Sequence, residues 1–169
     1  MTLRILKMAV IFVASYAALT FAYFVTPDDI IKSLHLHLLL RPCEFLISTI
    51  SGSGTVFIAD GALVANGVEL ELVRGCDGVG VGILLAAGII GLNDSVSKKA
   101  IGLALGLAVV HVLNIVRIVG LFYVMRGYRT HFSDVHNLIA PTFMLVASGL
   151  WFVWWARTVS QTAYDQSMS

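Results

Sequence analysis

The residue types best suited to chemistry are a cysteine, an arginine and a histidine that lie far apart along the chain. Cys76 stands in the glycine-rich run Arg74-Gly75-Cys76-Asp77-Gly78, where a polar, strand-like segment leads into an apolar helix. Arg117 lies inside a later apolar stretch, and His136 stands just before the last one. If the fold brings the three together, they predict a cysteine-based acyl-transfer site.

Cys76 is the predicted nucleophile. Attack requires the thiolate, which forms more readily at a helix N-terminus or beside a cation. An apolar helix follows Cys76, and Arg117 is a candidate for the cation. Gly75 and Gly78 would let a substrate backbone approach closely, and nearby backbone N–H groups would support an oxyanion. Two alternatives stay open at this point: a small buried residue, or a disulfide between Cys76 and Cys43.

Arg117 is unusual because an arginine inside a bilayer span costs about 2.5–3.5 kcal/mol on insertion scales. Such a residue normally faces the protein interior and has a role. Asn114 precedes it by three residues and His111 precedes Asn114 by three, so a polar stripe is predicted to face protein. The alternative is an arginine that reaches the headgroups, or that pairs structurally with Asp77 or Asp134.

His136 is the predicted acid/base, because histidine takes up and returns protons near neutral pH. His131 competes with it locally, and His35 and His37 lie in the same predicted compartment. The spacing of His35 and His37 leaves open a metal site that also uses Cys76 and His136. That pair alone does not define a metal site, so we predict neither a metal nor a cofactor.

Composition indicates the environment that must hold these residues. Of 169 residues, 58% are hydrophobic and 12% are charged, and the mean hydropathy is +0.89. Soluble proteins carry roughly 25% charged residues, so the chain is predicted to be an integral membrane protein. The net charge of +1 gives no indication of nucleic acid. The two cysteines form no CxxC pair, which excludes a zinc ribbon and a thioredoxin-type dithiol.

The predicted fold is an all-α integral membrane protein, one domain over residues 1–169, with about four transmembrane helices. The predicted spans are residues 5–26, 76–92, 100–125 and 138–156. Val79–Leu92 is too short to cross a hydrocarbon core of roughly 30 Å. The second span is therefore predicted to begin near Gly75–Gly78, with Cys76 at or just below the interface.

Residues 27–75 are predicted to form an extracytoplasmic segment. Ile30–Leu40 mixes charged residues and histidines with leucines, which predicts an interfacial helix. Pro42 is expected to break it, with one further helical piece over Cys43–Ile50. Asn66-Gly67, flanked by alternating residues such as Val68-Glu69-Leu70-Glu71, predicts a small β-ribbon that leads to Cys76.

Four spans would put both termini on one side of the membrane. Lysine and arginine are almost evenly divided between the two sides, so the positive-inside rule gives little guidance. The basic start of the first span and the tight Lys98-Lys99 turn favour termini in the cytoplasm. Cys76, Arg117 and His136 would then share the outer leaflet, and the opposite orientation would move all three together.

Three stretches carry a family resemblance: LVRGCDGVGVGILLAAGI, LNIVRIVGLFYV and FSDVHNLI. Together they resemble the exosortase/archaeosortase family in the order and spacing of a cysteine, an Asn-x-x-Arg motif and a loop histidine. The similarity runs from about Val68 to Trp155, and the short build is most like the small exosortase H type.

The resemblance implies a membrane cysteine transpeptidase without a cofactor, acting at the extracytoplasmic side of the cell (inner) membrane. Its partners would be membrane lipid and secreted proteins with a C-terminal motif, a transmembrane helix and a basic tail. Cys76 would be the nucleophile, Arg117 the charge stabiliser and His136 the acid/base, while Asn114 matches the motif without an assigned role. The alternative is a non-catalytic envelope assembly or binding subunit with a structural arginine.

Asp77 departs from the family pattern, in which many members have serine after the cysteine. An adjacent carboxylate disfavours a thiolate. Asp77 is therefore expected to point away from Cys76, or to pair with Arg74 or Arg117.

Overall fold

A computed structural model describes residues 2–52, 54, 56–65 and 67–165. The α-helices are α1 (Thr2–Val25), α2 (Asp28–Leu34), α3 (Arg41–Ser51), α4 (Val79–Gly91), α5 (Val96–Gly127), α6 (Phe132–Asp134) and α7 (Ala140–Asp165). Two π-helical segments, His35–Leu40 and Val135–Ile139, and a 3₁₀ turn, Arg129–His131, join them. The strands are β1 (Val56–Ala59), β2 (Ala62–Ala65) and β3 (Val68–Glu71). The predominantly helical fold with a small sheet agrees with the predicted class.

Three described helical stretches are long and apolar enough to cross a membrane: Leu3–Val25, Val96–Gly127 and Arg129–Thr158. They correspond to the first, third and fourth predicted spans. The second predicted span is represented by α4, whose 13 residues extend only about 20 Å. α4 begins at Val79, directly after the predicted start of the span near Gly75–Gly78, because Gly75 and Gly78 have φ angles of +91° and +77°, outside the helical region.

The chain divides into two compact units. The first contains the N-terminal helix through Phe24, Gly80–Val110 and the chain from Met144 onward. Within it, aromatic rings lie directly on helical glycines. A Cβ atom at Gly106 would lie 2.7 Å from the Trp151 ring, and one at Gly102 would overlap the Trp155 ring. Glycine thus allows α5 and α7 to approach closely, as small residues do in membrane helix packing.

The second unit comprises Val25–Val79 and His111–Phe143. The most deeply buried side chains of its core, each at most 1% exposed, come from the helices around Pro42, from β2 and from α5: Leu40, Cys43, Ile47, Leu63 and Phe122. The inward face of β3 contributes Val68 and Leu70, while Glu69 and Glu71 are exposed. The alternation of apolar and acidic residues that predicts the strand therefore matches the alternation of buried and exposed side chains along it.

The predicted β-ribbon is present as a three-stranded antiparallel sheet in the order β1-β2-β3. Asp60 and Gly61 connect the first pair, and both have positive φ, +48° and +81°, as a type I′ hairpin turn requires. The second turn contains Gly67, with φ +77°. Asn66, the other half of the predicted Asn-Gly turn, lies outside the described residues.

The expected break at Pro42 is wrong. The residues before it form the π-helical segment, and the N–H of Arg41 donates to the carbonyl of Leu36, five residues back. The helical hydrogen bonds have therefore already changed from i→i−4 to i→i−5 just before Pro42, which has no N–H to donate. The backbone continues into α3 without leaving the helical region. The helical run places Ile31, His35 and Leu39 at four-residue spacing, and all three are buried.

Candidate functional site

The three predicted residues converge in the second unit. The sulfur of Cys76 lies 3.4 Å from Nε2 of His136, 60 residues away in sequence. Arg117 donates from Nη1 to the backbone carbonyl of Cys76 at 3.2 Å. Among the described residues, the guanidinium thus contacts the backbone of the cysteine, and the imidazole contacts its thiol.

The Cys76 loop owes its shape to two glycines. Gly75 and Gly78 both have positive φ, a conformation in which a side chain is strained. A β-turn supports the loop, with the N–H of Cys76 donating to the carbonyl of Val73 at 3.1 Å. At Gly78 there is also no room, because a Cβ atom would lie 2.8 Å from Cγ of Asn114. Glycine at 78 therefore lets α5 approach the loop.

Asn114 contacts the loop from α5. It is 1% exposed, and its Nδ2 donates to the backbone carbonyl of Asp77 at 2.7 Å. Arg117, one turn further along α5, holds the carbonyl of Cys76. The Asn-x-x-Arg motif therefore bonds two consecutive carbonyls of the Cys76 loop, which gives Asn114 a positioning contact that the sequence did not reveal.

Asp77 fastens the other side of the loop. Its Oδ1 accepts the N–H of Val79 at 3.1 Å, at the first residue of α4. Its Oδ2 lies 2.9 Å from Nε2 of His35, and both residues are buried. The sequence analysis expects Asp77 to point away from Cys76 or to pair with Arg74 or Arg117, and it does not anticipate the contact with His35, which joins positions 42 residues apart.

His35 is the functional candidate that sequence reasoning undervalues. From the sequence it is only a competitor of His136, or half of a metal pair with His37. A usable signal exists, because Ile31 and Leu39 place His35 on an apolar helix face. A buried imidazole needs a polar partner, and Asp77, inside an otherwise apolar motif, supplies one.

His136 lies in the π-helical segment Val135–Ile139. Its ring stacks on Phe132, with centroids 5.3 Å apart and planes at 22°, which fixes its orientation toward the sulfur. His35 also lies in a π-helical segment. Such segments occur frequently at functional sites. Here one supplies the imidazole of His35 to Asp77, and the other supplies the imidazole of His136 to the adjacent residue, Cys76.

Three buried polar atoms next to the loop have no hydrogen-bond partner among the described residues: Oδ1 of Asn114, Nε of Arg117 and Nδ1 of His136. Each unsatisfied group of this kind costs about 1–3 kcal/mol. Buried unsatisfied groups are few in folded proteins. All three belong to residues that contact Cys76 or Asp77. These unsatisfied buried polar atoms therefore cluster around the Cys76 thiol.

A small cavity opens beside the thiol. Its lining is mostly apolar and consists of Leu40, Leu70, Glu71, Leu72, Cys76, Ile118, Leu121 and His136. The apolar wall lowers the local dielectric, so the charge of Arg117 acts more strongly there than in water. The arrangement provides a nucleophile, a proton acceptor and a nearby cation in a sheltered space.

The two cysteines and the competing histidines differ in their positions. Both cysteines are free, so the disulfide alternative is wrong. Cys43 is 0% exposed, and burial raises the pKa of its thiol to about 12. His37 and His131 are exposed. Among the described residues, no group of three histidine, cysteine or acidic side chains is arranged to hold a metal ion.

Comparison with known proteins leaves the chain without a family assignment. No family model matches it, and neither a curated protein nor a solved structure gives a significant match. The resemblance to exosortases therefore depends on the motifs around Cys76, Arg117 and His136, and it stays a prediction.

Proposed function

We propose that the chain is a membrane cysteine transpeptidase or protease that cleaves the C-terminal sorting tail of secreted proteins through a thioester. The observation that carries the proposal is the 3.4 Å approach of the Cys76 sulfur to Nε2 of His136. A thiol and an imidazole at this separation, brought together from distant positions, have the geometry that a nucleophile and its base need for acyl transfer.

In the proposed reaction, Nε2 of His136 takes the proton of the Cys76 thiol as the sulfur bonds to the scissile carbonyl carbon. The resulting tetrahedral oxyanion collapses, the C–N bond breaks, and His136 returns the proton to the leaving amine. The trimmed protein is then held as a thioester. An amine of an envelope acceptor, or water, attacks that carbonyl, and the sulfur leaves and regains a proton.

Arg117 has two proposed roles. Its Nη1 contact fixes the backbone of Cys76, and its positive charge stabilises both the thiolate and the developing oxyanion. Asn114 acts as a positioning residue through the carbonyl of Asp77. Gly75, where nothing lies within 4 Å of an added Cβ atom, is proposed to leave the space in which backbone N–H groups support the oxyanion. The space expected at Gly78 is instead filled by the side chain of Asn114.

The proposed location is the cell (inner) membrane, with several spans and the site on the extracytoplasmic side. Three long apolar helices support a membrane location, whereas the sidedness follows only from the charges near the first span and at Lys98-Lys99. The proposed partners are membrane lipid and secreted proteins that end in a short motif, a transmembrane helix and a basic tail, with no nucleic acid.

The test is processing of a secreted reporter that carries such a tail, taken from a gene next to the one that encodes this chain. We expect Cys76→Ala to give background processing, and Arg117→Ala and His136→Ala to lose about 10²–10⁴-fold in rate. Cys43→Ala is the matched control, and it should process the reporter. Full removal of the tail by the Cys76→Ala protein would refute the nucleophile.

A second candidate is a non-catalytic envelope assembly or binding subunit. The hydrogen bond from Arg117 to the backbone carbonyl of Cys76 favours it, because a structural brace would make the same contact. Alkylation of Cys76 separates the two functions. An activated thiol should react well below pH 8 and slow at least tenfold in Arg117→Ala, whereas a structural cysteine should react slowly in both proteins.

A further inference from the structure

The sheet of the second unit has an unpaired edge near the candidate nucleophile. β3 pairs with β2 on one side only, because the order is β1-β2-β3. Within the described part of the chain, no backbone hydrogen bond reaches the outer side of Val68–Glu71. An edge strand of this kind is a template for another extended chain.

The register identifies which backbone groups face outward. The N–H of Leu72 donates to the carbonyl of Gly61 at 3.4 Å, in line with the β2–β3 ladder. Because hydrogen-bonded and non-bonded pairs alternate in antiparallel strands, Leu70 also bonds toward β2. The N–H and C=O groups of Glu69 and Glu71 then point away from the sheet.

This outward-facing edge reaches the cavity of the thiol. Glu71 and Leu72, at the end of β3, line the same cavity as Cys76 and His136. The other edge of the sheet belongs to β1, whose residues do not line that cavity. An extended chain that pairs with β3 would therefore be directed to the sulfur, whereas one that pairs with β1 would not.

We propose that β3 binds the substrate as an added strand, with the substrate backbone hydrogen-bonded to the N–H and C=O groups of Glu69 and Glu71. The inference rests on the proposed function and deepens it: the substrate is an extended polypeptide whose main chain supplies most of the recognition. Strand addition gives affinity through the backbone and leaves sequence selectivity to neighbouring pockets. It also holds the scissile carbonyl in a fixed register next to Cys76.

The test uses a peptide reagent on the full chain in detergent micelles. The reagent is an acetylated tetrapeptide of threonine and valine that ends in an alanine vinyl sulfone, and methyl vinyl sulfone is the small control. With either reagent, the Cys76 sulfur bonds to the vinyl carbon β to the sulfone, and the thiol proton goes to the carbon α to it. Labelling of Cys76 is followed by mass spectrometry.

Backbone methylation of the reagent is the decisive comparison, because it leaves the protein unchanged. Added strands bond through alternate residues. We expect N-methylation at the alternate residues whose N–H groups would face β3 to slow labelling at least tenfold. N-methylation at the residues between them, whose N–H groups would face away from β3, should slow it less than threefold. Equal rates for all methylated forms would overturn strand addition, while fast labelling by methyl vinyl sulfone would leave the proposed function intact.

A pair of variants tests the protein side. Glu71→Pro removes one outward N–H, whereas Glu71→Thr keeps it in a residue suited to a strand. Each peptide rate is divided by the methyl vinyl sulfone rate of the same variant, which corrects for any general change in the fold. We expect this ratio to fall at least fivefold in Glu71→Pro and to stay within twofold of the wild-type ratio in Glu71→Thr.

Equal ratios in the two Glu71 variants would contradict the inference. So would a change of oligomeric state in Glu71→Pro without a change in the ratio, because the edge would then pair with a second copy of the chain. If neither reagent labels Cys76, the proposed function itself fails.

Discussion

The two cysteines lie in the same compact unit and have opposite surroundings. Cys43 lies on α3, is 0% exposed, and directs its sulfur toward the carbonyl of Ile115 at 3.9 Å. Cys76 is half-buried in a glycine loop, with its sulfur facing the imidazole of His136. The same side chain is thus a packing element in one place and a candidate nucleophile in the other.

The difference follows from the local backbone. On a helix, Cys43 is surrounded by the apolar neighbours of the core, and that burial raises its pKa to about 12. In the loop, positive φ at Gly75 and Gly78 turns the chain so that polar groups from distant elements can reach it. Reactivity is expected where the chain leaves regular structure and a base can approach.

The largest expected effect is on the alkylation rates of the two thiols. At pH 7, raising the pKa of Cys43 from 9.0 to about 12 lowers its thiolate fraction roughly 10³-fold relative to an unburied cysteine. We expect iodoacetamide to label Cys76 at least about 10³-fold faster than Cys43. Peptide-resolved mass spectrometry of the wild-type protein measures both rates in one sample.

The denatured chain supplies the control, because unfolding should make the two sites label at similar rates. Comparable labelling of both cysteines in the folded protein would remove the distinction between a core thiol and a reactive thiol. Fast labelling of Cys43 alone would reverse it.

The next largest effect concerns the buried pair that fastens the Cys76 loop. His35→Ala leaves the buried Asp77 carboxylate without its 2.9 Å contact, which should cost about 3 kcal/mol of unfolding free energy. His35→Gln keeps a donor and should recover about half of that loss. Denaturant unfolding in micelles measures both, and Cys76 alkylation should slow more in His35→Ala than in His35→Gln.

A purely structural role for the pair gives a different pattern. It would lower the stability of His35→Ala without changing the alkylation rate of Cys76 under conditions in which the protein is fully folded. That result would show that the His35–Asp77 pair stabilises the fold without influencing the reactivity of Cys76.

The sequence predicts the elements whose signals are local. Long apolar runs predict α1, α5 and α7, and the alternation of Val68, Glu69, Leu70 and Glu71 predicts β3. The positions of Cys76, Arg117 and His136 relative to the predicted spans predict their convergence, because the order of the spans would place all three in the same leaflet. The contacts at Cys76 bear out that juxtaposition.

What the sequence does not reveal depends on tertiary register. The pairing of His35 with Asp77 requires a particular rotation of one helix against a loop 42 residues away. Helical backbone through Pro42 requires a π-helical turn before it, for which propensity gives no signal. The late start of α4 at Val79 follows from positive φ at Gly78, and glycine alone does not specify that conformation.

A smaller effect is expected at Gly75 and Gly78, the two glycines of the Cys76 loop. Alanine at Gly75 or Gly78 meets positive φ, which should cost about 1–2 kcal/mol at each position. At Gly78 the added Cβ atom would also lie 2.8 Å from Cγ of Asn114, whereas nothing lies within 4 Å at Gly75. We expect Gly78→Ala to be about 2 kcal/mol less stable than Gly75→Ala.

Unfolding in micelles at neutral pH measures that difference. Adding Asn114→Ala to Gly78→Ala should restore part of the lost stability, because it removes the Cγ atom that the new Cβ atom would meet. Equal stability of the two glycine variants would show that Asn114 does not hold the loop against α5.

The smallest expected effect is on the pH dependence of stability, and it comes from Cys43. Burial raises its pKa from 9.0 to about 12, so the folded state favours the neutral thiol. That contribution is fully present below about pH 9 and is lost as the pH rises toward 12. Between pH 8 and pH 10, the wild type should lose about 1 kcal/mol of unfolding free energy that Cys43→Ala does not lose. Groups common to both proteins cancel, so the difference in unfolding free energy between them should narrow over this range.

A constant difference from pH 8 to pH 10 would mean that the Cys43 thiol ionises in the folded protein as it does in the unfolded chain. The two cysteines would then differ only in their access to reagent.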